Sequence, residues 1–131
     1  MKADSLNIRN FHSRVAGMKV NLEKEVFTKF NEQFIAGIIV CNGLDNKKHD
    51  HEIDALLRDI EELARLTFKK EDIAQLKSVA TWKEEGHADK FYSAVEELLN
   101  KVISGEEIEC QNKLIDLCNF IALKYFLNCS V

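Results

Sequence analysis

The sequence contains no proline in its 131 residues. Ordinary usage near 5% would place roughly six prolines in a chain of this length. Because proline interrupts helices, its absence favours a helix-rich architecture over one built mainly from loops. The length is that of one domain, which can bury about two-thirds of its unfolded surface around a single core.

The sequence also has no excess of basic residues. It contains 18 Lys and Arg residues and 22 Asp and Glu residues, which gives a formal net charge of −4. This argues against a dedicated nucleic-acid coat protein but not against a small pocket for a nucleic-acid end. The apolar run Ile35 to Cys41 is far too short to span a membrane. The first twenty residues lack the apolar centre of a signal peptide. We therefore expect a cytoplasmic protein without a membrane partner.

Zinc-binding motifs are absent as well, because the cysteines form no CxxC pair and no histidine follows at finger spacing. In a protein that is not secreted, we expect reduced, mostly buried thiols at all four positions. The cysteines are Cys41, Cys110, Cys118 and Cys129. The cluster His49-Asp50-His51 resembles a set of metal ligands, but adjacent residues at a helix start point in different directions. We interpret it as a solvated helix cap and predict neither a metal site nor a cofactor.

Hydrophobic periodicity predicts an α+β fold in which short strands pack against four or more helices. Residues 1–17 show no clear period and are interpreted as an N-terminal extension that can be disordered, followed by a domain at 18–131. Weak alternation predicts a strand at Lys19–Leu22. The β-branched run Gln33–Cys41 predicts a central strand, covered on both faces and the most buried of the fold. A short helix is expected at Glu23–Phe30.

Four further segments have helical spacing of their apolar residues. They are Asp50–Leu66, Lys70–Ser78, Asp89–Ile103 and Cys110–Leu127. Asp50 and Asp89 are the expected caps of the first and third, and Gly105 is expected to end the third. The last helix is apolar almost all round, which predicts burial in a larger body.

A narrow polar stripe interrupts that last helix, because Asn112, Asp116 and Asn119 fall within about 60° of one another. Buried amides and carboxylates cost several kcal/mol unless they are hydrogen-bonded, so the stripe needs partners. In one interpretation Asn112 caps the helix and the other two bond to neighbouring backbone. In the other, the stripe lines a polar pocket in which Asn119 faces a ligand.

Two other positions have simpler interpretations. Glu96 and Glu97 are expected on a solvated helix face, with an inward Glu96 as the alternative. Cys118 has no histidine within reach on its own helix, so a structural thiol is favoured over a nucleophile.

After the apolar strand, four short motifs follow in a characteristic order: GLDN at 43–46, WK at 82–83, SAVEEL at 93–98 and IDLCN at 115–119. This order resembles free-standing relatives of the B3/B4 domain, the tRNA-editing module of the bacterial phenylalanyl-tRNA synthetase beta chain. The resemblance covers about residues 18–127. It implies the fold of the first half of that domain, hydrolysis of the ester in mischarged tRNA, and the aminoacylated end of tRNA as partner.

The resemblance also implies a substrate site on the last helix. Cys118 and Asn119 match family residues that line the amino-acid pocket, and Asn112 and Asp116 match positions on the same helix. These four are the substrate-binding candidates, and no catalytic residue is assigned. The family continues past this helix into a strand-rich half that carries the editing histidine and glutamate, for which this sequence has no counterpart. We therefore expect a partial domain, incomplete for catalysis, and leave open whether it is an enzyme.

The alternative is a non-catalytic helical module for binding or dimerisation. The last helix presents more apolar side chains than one layer of helices can cover, so a second copy or the missing half-domain would bury the surplus. These side chains are Leu117, Phe120, Leu123, Tyr125 and Phe126. A homodimer that includes this helix is therefore expected.

Overall fold

The computed structural model describes residues 2–6, 12–15, 18–21, 36–47, 49–82 and 93–131. The chain forms two compact units, Met1–Leu44 and Asp45–Val131. The units divide after Leu44, whereas the sequence placed a boundary after Gly17. Helices predominate among the described residues and short strands accompany them, in agreement with a helix-rich α+β class.

The described residues of the first unit form four short strands in two antiparallel pairs. They are β1 (Lys2–Leu6), β2 (His12–Val15), β3 (Met18–Asn21) and β4 (Ala36–Val40). Strand β1 pairs with β4, with Lys2 opposite Val40, and β2 pairs with β3, with His12 opposite Asn21. Strands β1 and β2 lie in the segment interpreted from the sequence as an extension. Strand β3 agrees with the predicted strand within one residue, and the helix expected at 23–30 lies outside the described residues.

Strand β4 ends one residue before the predicted Cys41 and is more exposed than the sequence predicted. Among the described residues it pairs with β1 alone, and the side chain of Ile39 is 44% exposed. Ile38 and Val40 are half-buried. The prediction that both faces of this strand are covered is therefore wrong. The β-branched side chains at these positions suit extended backbone, a preference that does not require both faces to be covered.

The second unit contains five helices in its described part. They are α1 (His51–Thr67), α2 (Lys70–Ile73), α3 (Lys77–Trp82), α4 (Ala94–Ile103) and α5 (Lys113–Tyr125). Helices α2 and α3 replace the single helix expected at 70–78, because a turn separates them. No helix in the described ranges has both the length and the apolar character needed to cross a membrane.

The helix ends follow local capping chemistry. Asp50 is the N-cap of α1, as predicted, and its Oδ1 accepts hydrogen bonds from the backbone N–H groups of Glu52 and Ile53. Helix α4 begins later than the expected Asp89, because the hydroxyl of Ser93 accepts from the backbone N–H of Glu96 and forms the cap there.

The predicted end of α4 at Gly105 is confirmed. Gly105 has φ +92°, a conformation that glycine adopts without steric cost. Its N–H donates to the carbonyl of Val102 at 3.1 Å, and the N–H of Glu106 donates to the carbonyl of Lys101 at 3.1 Å. These two bonds form a Schellman motif, which satisfies carbonyls that the end of the helix would otherwise leave unpaired.

The core of the second unit lies where α1 packs against α4 and α5 and where α2 packs against α4. Its buried apolar side chains are Leu57, Ala64, Ile73, Val79, Val95, Leu99, Val102, Ile108 and Leu123. The rings of Phe68 and Phe126 meet edge to face beside it, with centroids 5.0 Å apart. Helix α5 is not buried all round, since Leu117 and Phe120 are half-buried and Tyr125 is 57% exposed.

Candidate functional site

The N-termini of α1 and α5 are joined through a loop residue and an ion pair. Oδ1 of Asn46 accepts a hydrogen bond from the backbone N–H of Leu114 at 3.0 Å. Nζ of Lys113 lies 3.7 Å from Oδ2 of Asp50. These contacts hold the first turn of α5 against the cap of α1, so side chains from both helix starts can share one site.

Asp54 and Asp116 occupy equivalent positions in the two helices. Each follows its N-cap by four residues, and its backbone N–H donates to the carbonyl of that cap. The distances are 2.8 Å from Asp54 to Asp50 and 2.9 Å from Asp116 to Asn112. The same local geometry thus places one carboxylate on each helix.

These two carboxylates meet the imidazole of His49. One oxygen of each aspartate and one ring nitrogen of His49 all lie within 4.8 Å of one another. Nδ1 of His49 is 3.7 Å from Oδ2 of Asp54. Asp116 is 0% exposed, whereas the side chain of His49 is 59% exposed. We call these three residues the corner site, which is buried on one side and open to solvent on the other.

The hydrogen bonding of the corner site is incomplete. Oδ1 of Asp116 accepts from the backbone N–H of Gln111 at 2.8 Å. Within the part of the chain that the structure describes, buried Oδ2 of Asp116 and buried Oδ1 of Asp54 have no hydrogen-bond partner. Such buried acceptors are uncommon, because each loses its hydration without compensation. These two oxygens can therefore accept a cation or a hydrogen-bond donor.

Cys110 lies at the edge of the corner site. Nη2 of Arg58 donates to its Sγ at 3.4 Å. Burial raises the pKa of the Cys110 thiol, the guanidinium of Arg58 opposes this effect, and the nearby carboxylate of Asp54 raises the pKa further. A thiol with a raised pKa is a poor nucleophile at neutral pH. All four cysteines are reduced and half-buried, so they are more exposed than expected.

The four predicted substrate-binding residues lie at the N-cap and on the first turns of α5. Asn112 is the N-cap of α5, and its Oδ1 accepts from the backbone N–H of Ile115 at 3.1 Å, as the local interpretation of the stripe predicted. Asp116 bonds to neighbouring backbone as that interpretation also predicted, yet one of its oxygens has no hydrogen-bond partner. Cys118 and Asn119 are half-buried on the following turn.

The sequence missed the corner site. From the sequence, His49, Asp50 and His51 are interpreted together as a solvated cap. In the structure, only Asp50 of these three caps α1. The structure brings His49 instead to Asp116 of a distant helix. One signal was available: Asp50 and Asp54 have the same four-residue spacing as Asn112 and Asp116, each pair at the start of a helix.

A second polar region lies between α2 and α4. Glu96 is buried, so the inward alternative for this residue is confirmed, and Glu97 is exposed as expected. Both line an open groove of about 700 Å³ that Lys70 and Lys101 also border. Charges of both signs surround the groove, which therefore attracts neither anions nor cations selectively.

Comparisons with known proteins assign no family to this chain. No protein-family model, no curated protein and no solved structure gave a match. The resemblance to the B3/B4 domain therefore stays a prediction that depends on the short motifs and their order.

Proposed function

We propose that this chain is a binding module related to the B3/B4 domain. It binds the aminoacylated end of a tRNA. The order of its motifs supports this, and the observation that carries it is the position of Cys118 and Asn119 on α5. Both are half-buried, which leaves part of each side chain accessible to a ligand. Oδ1 of Asn112 already accepts a hydrogen bond at the start of the helix, so Asn119 is the better candidate of the two amides for substrate contact.

Binding without hydrolysis is the activity proposed. Ester hydrolysis needs a base that activates water and a donor that stabilises the developing oxyanion. Neither role is assigned to a described residue of this chain. An asparagine amide, by contrast, can accept from the ammonium group of an aminoacyl ester and donate to its carbonyl.

Thermal denaturation with a stable ligand analogue tests the proposal. The probe is a 3′-aminoacylamido-adenosine, in which an amide replaces the ester of the aminoacylated tRNA end. It should raise the Tm of the wild-type chain, because a ligand that binds only the folded state stabilises it. Asn119→Ala should fold with stability within about 1 kcal/mol of wild type and show no rise in Tm.

Asn100→Ala is the matched control, because Asn100 is also a half-buried helical asparagine but lies on α4. It should retain the rise in Tm. A wild-type chain whose Tm does not respond to millimolar probe contradicts the proposal. So does an Asn119→Ala variant that unfolds, because Asn119 would then be a structural hydrogen-bonding group.

A second candidate, an association module without catalysis, is supported by exposed leucines on α1. Leu56, Leu63 and Leu66 are 46%, 56% and 80% exposed, and their spacing places them along one side of the helix. Leu123 of α5, which was expected to need a cover, is buried within the chain. The apolar surface available for a second copy is therefore greater on α1 than the sequence suggested.

A further inference from the structure

We propose that the corner site, formed by His49, Asp54 and Asp116, binds one divalent transition-metal ion. An imidazole and two carboxylates are ligands that Mn²⁺, Fe²⁺ and Zn²⁺ accept. The proposal requires no tRNA and does not depend on the proposed function.

The geometry is close to that of a coordinated ion. Metal–nitrogen and metal–oxygen bonds of about 2.1 Å allow donor atoms on opposite sides of one ion to lie up to about 4.2 Å apart. The three donor atoms of the corner site lie within 4.8 Å of one another without an ion. Small side-chain rotations would bring them to bonding distance, and neither helix would need to move.

The electrostatics also favour a cation. Asp54 and Asp116 are both acidic, and each has a buried oxygen that lacks a hydrogen-bond partner among the described residues. Two like charges at this separation repel each other, and a divalent ion between them would remove the repulsion and coordinate one oxygen of each carboxylate.

The neighbouring basic side chains are engaged elsewhere. Nη1 of Arg58 lies 2.6 Å from Oε2 of Glu61 and 3.6 Å from Oε2 of Glu107. Lys113 pairs with Asp50. Neither has an ion pair with Asp54 or Asp116 in the described part of the chain, so the negative charge of the corner site is available to a bound ion.

The surroundings of the site fit a metal ligand set in two further respects. The backbone N–H of Gln111 holds Oδ1 of Asp116, as outer hydrogen bonds commonly orient ligating carboxylates. His49 lies on the solvent side, which provides an entry path and leaves room for water ligands. The imidazole favours a transition metal over Ca²⁺ or Mg²⁺, which prefer oxygen ligands.

Electron paramagnetic resonance of Mn²⁺ tests the proposal on the full chain. Mn²⁺ is the chosen probe because it prefers carboxylate oxygen to the thiols of the four cysteines. Protein should quench the six-line signal of the hydrated ion with a stoichiometry of one ion per chain. Excess Mg²⁺ should not restore that signal.

His49→Ala removes an exposed ligand and should leave the fold intact, while weakening Mn²⁺ affinity at least about tenfold. His51→Ala is the matched control, because His51 is an exposed neighbouring histidine outside the corner site, and its affinity should be unchanged. Asp116→Asn keeps an acceptor for Gln111 but removes the charge, and it should also weaken affinity at least about tenfold.

Three results would overturn the proposal. The first is no signal loss at millimolar Mn²⁺. The second is equal affinity in His49→Ala and His51→Ala, because binding would then involve other acidic groups of the surface. The third is full restoration of the hydrated signal by excess Mg²⁺, because the imidazole would then not select Mn²⁺ over Mg²⁺.

Discussion

Glu61 of α1 accepts a hydrogen bond from the backbone N–H of Ile108, with 2.7 Å between Oε1 and N. The carbonyl oxygen of Ile108 accepts a hydrogen bond from Nη2 of Arg58. Nη1 of Arg58 in turn lies 2.6 Å from Oε2 of Glu61. The two members of the ion pair Arg58–Glu61 therefore hydrogen-bond both the carbonyl and the N–H of Ile108. These hydrogen bonds connect α1 to the segment before α5, and so help to hold the two helices of the corner site together.

This relationship predicts a large effect of Glu61→Ala on stability. Glu61 is completely buried, and its removal leaves the N–H of Ile108 without its acceptor and Arg58 without its nearest counter-charge. The free energy of unfolding, measured by urea denaturation, should fall by about 3–5 kcal/mol. Glu62→Ala, at the adjacent exposed position, should change it by less than about 0.5 kcal/mol. Equal effects of the two substitutions would show that the buried pair has no special role.

The core position Leu99 should be similarly sensitive for a different reason. Its side chain is 0% exposed, so Leu99→Ala removes buried methyl groups and leaves a cavity among α1, α4 and α5. We expect a loss of about 2–5 kcal/mol in the free energy of unfolding. Leu66→Ala, at an 80% exposed position, should cost less than about 0.5 kcal/mol when measured at low protein concentration. A small loss for Leu99→Ala would contradict the core described above.

Gly105→Ala should destabilise the chain through backbone conformation alone. A Cβ at this position would meet no atom within 4 Å, so no steric clash is added, but φ of +92° is unfavourable for alanine. The Tm should fall by an amount that corresponds to about 1 kcal/mol. Gly37→Ala is the matched control, because its Cβ also has open space and its φ is not positive. A Gly105→Ala variant as stable as wild type would contradict the left-handed end of α4.

Self-association is the fourth expectation. Sedimentation at micromolar concentration should give about twice the chain mass of 15.0 kDa, because a two-fold dimer is the commonest way to cover exposed apolar surface. The double substitution Leu63→Ser and Leu66→Ser should return the chain to a monomer. Glu62→Ser, on the same helix, should leave the dimer intact. A wild-type monomer that binds no dye specific for exposed apolar surface would contradict association.

Local chemistry explains what could be predicted from the sequence. Asp50 caps α1, Asn112 caps α5 and Gly105 follows the end of α4, because each of these contacts joins residues no more than a few positions apart. Apolar spacing identified the helical segments for the same reason, since the period of a helix is set by its own backbone. The start of α4 was less accurate, because its cap is Ser93 and not the predicted Asp89.

Only the tertiary structure decided the features that join distant residues. The sequence determined that His49, Asp54 and Asp116 are polar residues at or near helix starts, but the packing of α1 against α5 brings them within 4.8 Å of one another. It also determined that Gln33–Cys41 favours extended backbone, whereas packing in space decided how far the side chains of β4 are buried. The physical reason is the same in both cases. Propensity acts on neighbours along the chain, while burial, pairing and charge compensation depend on which segments meet in space.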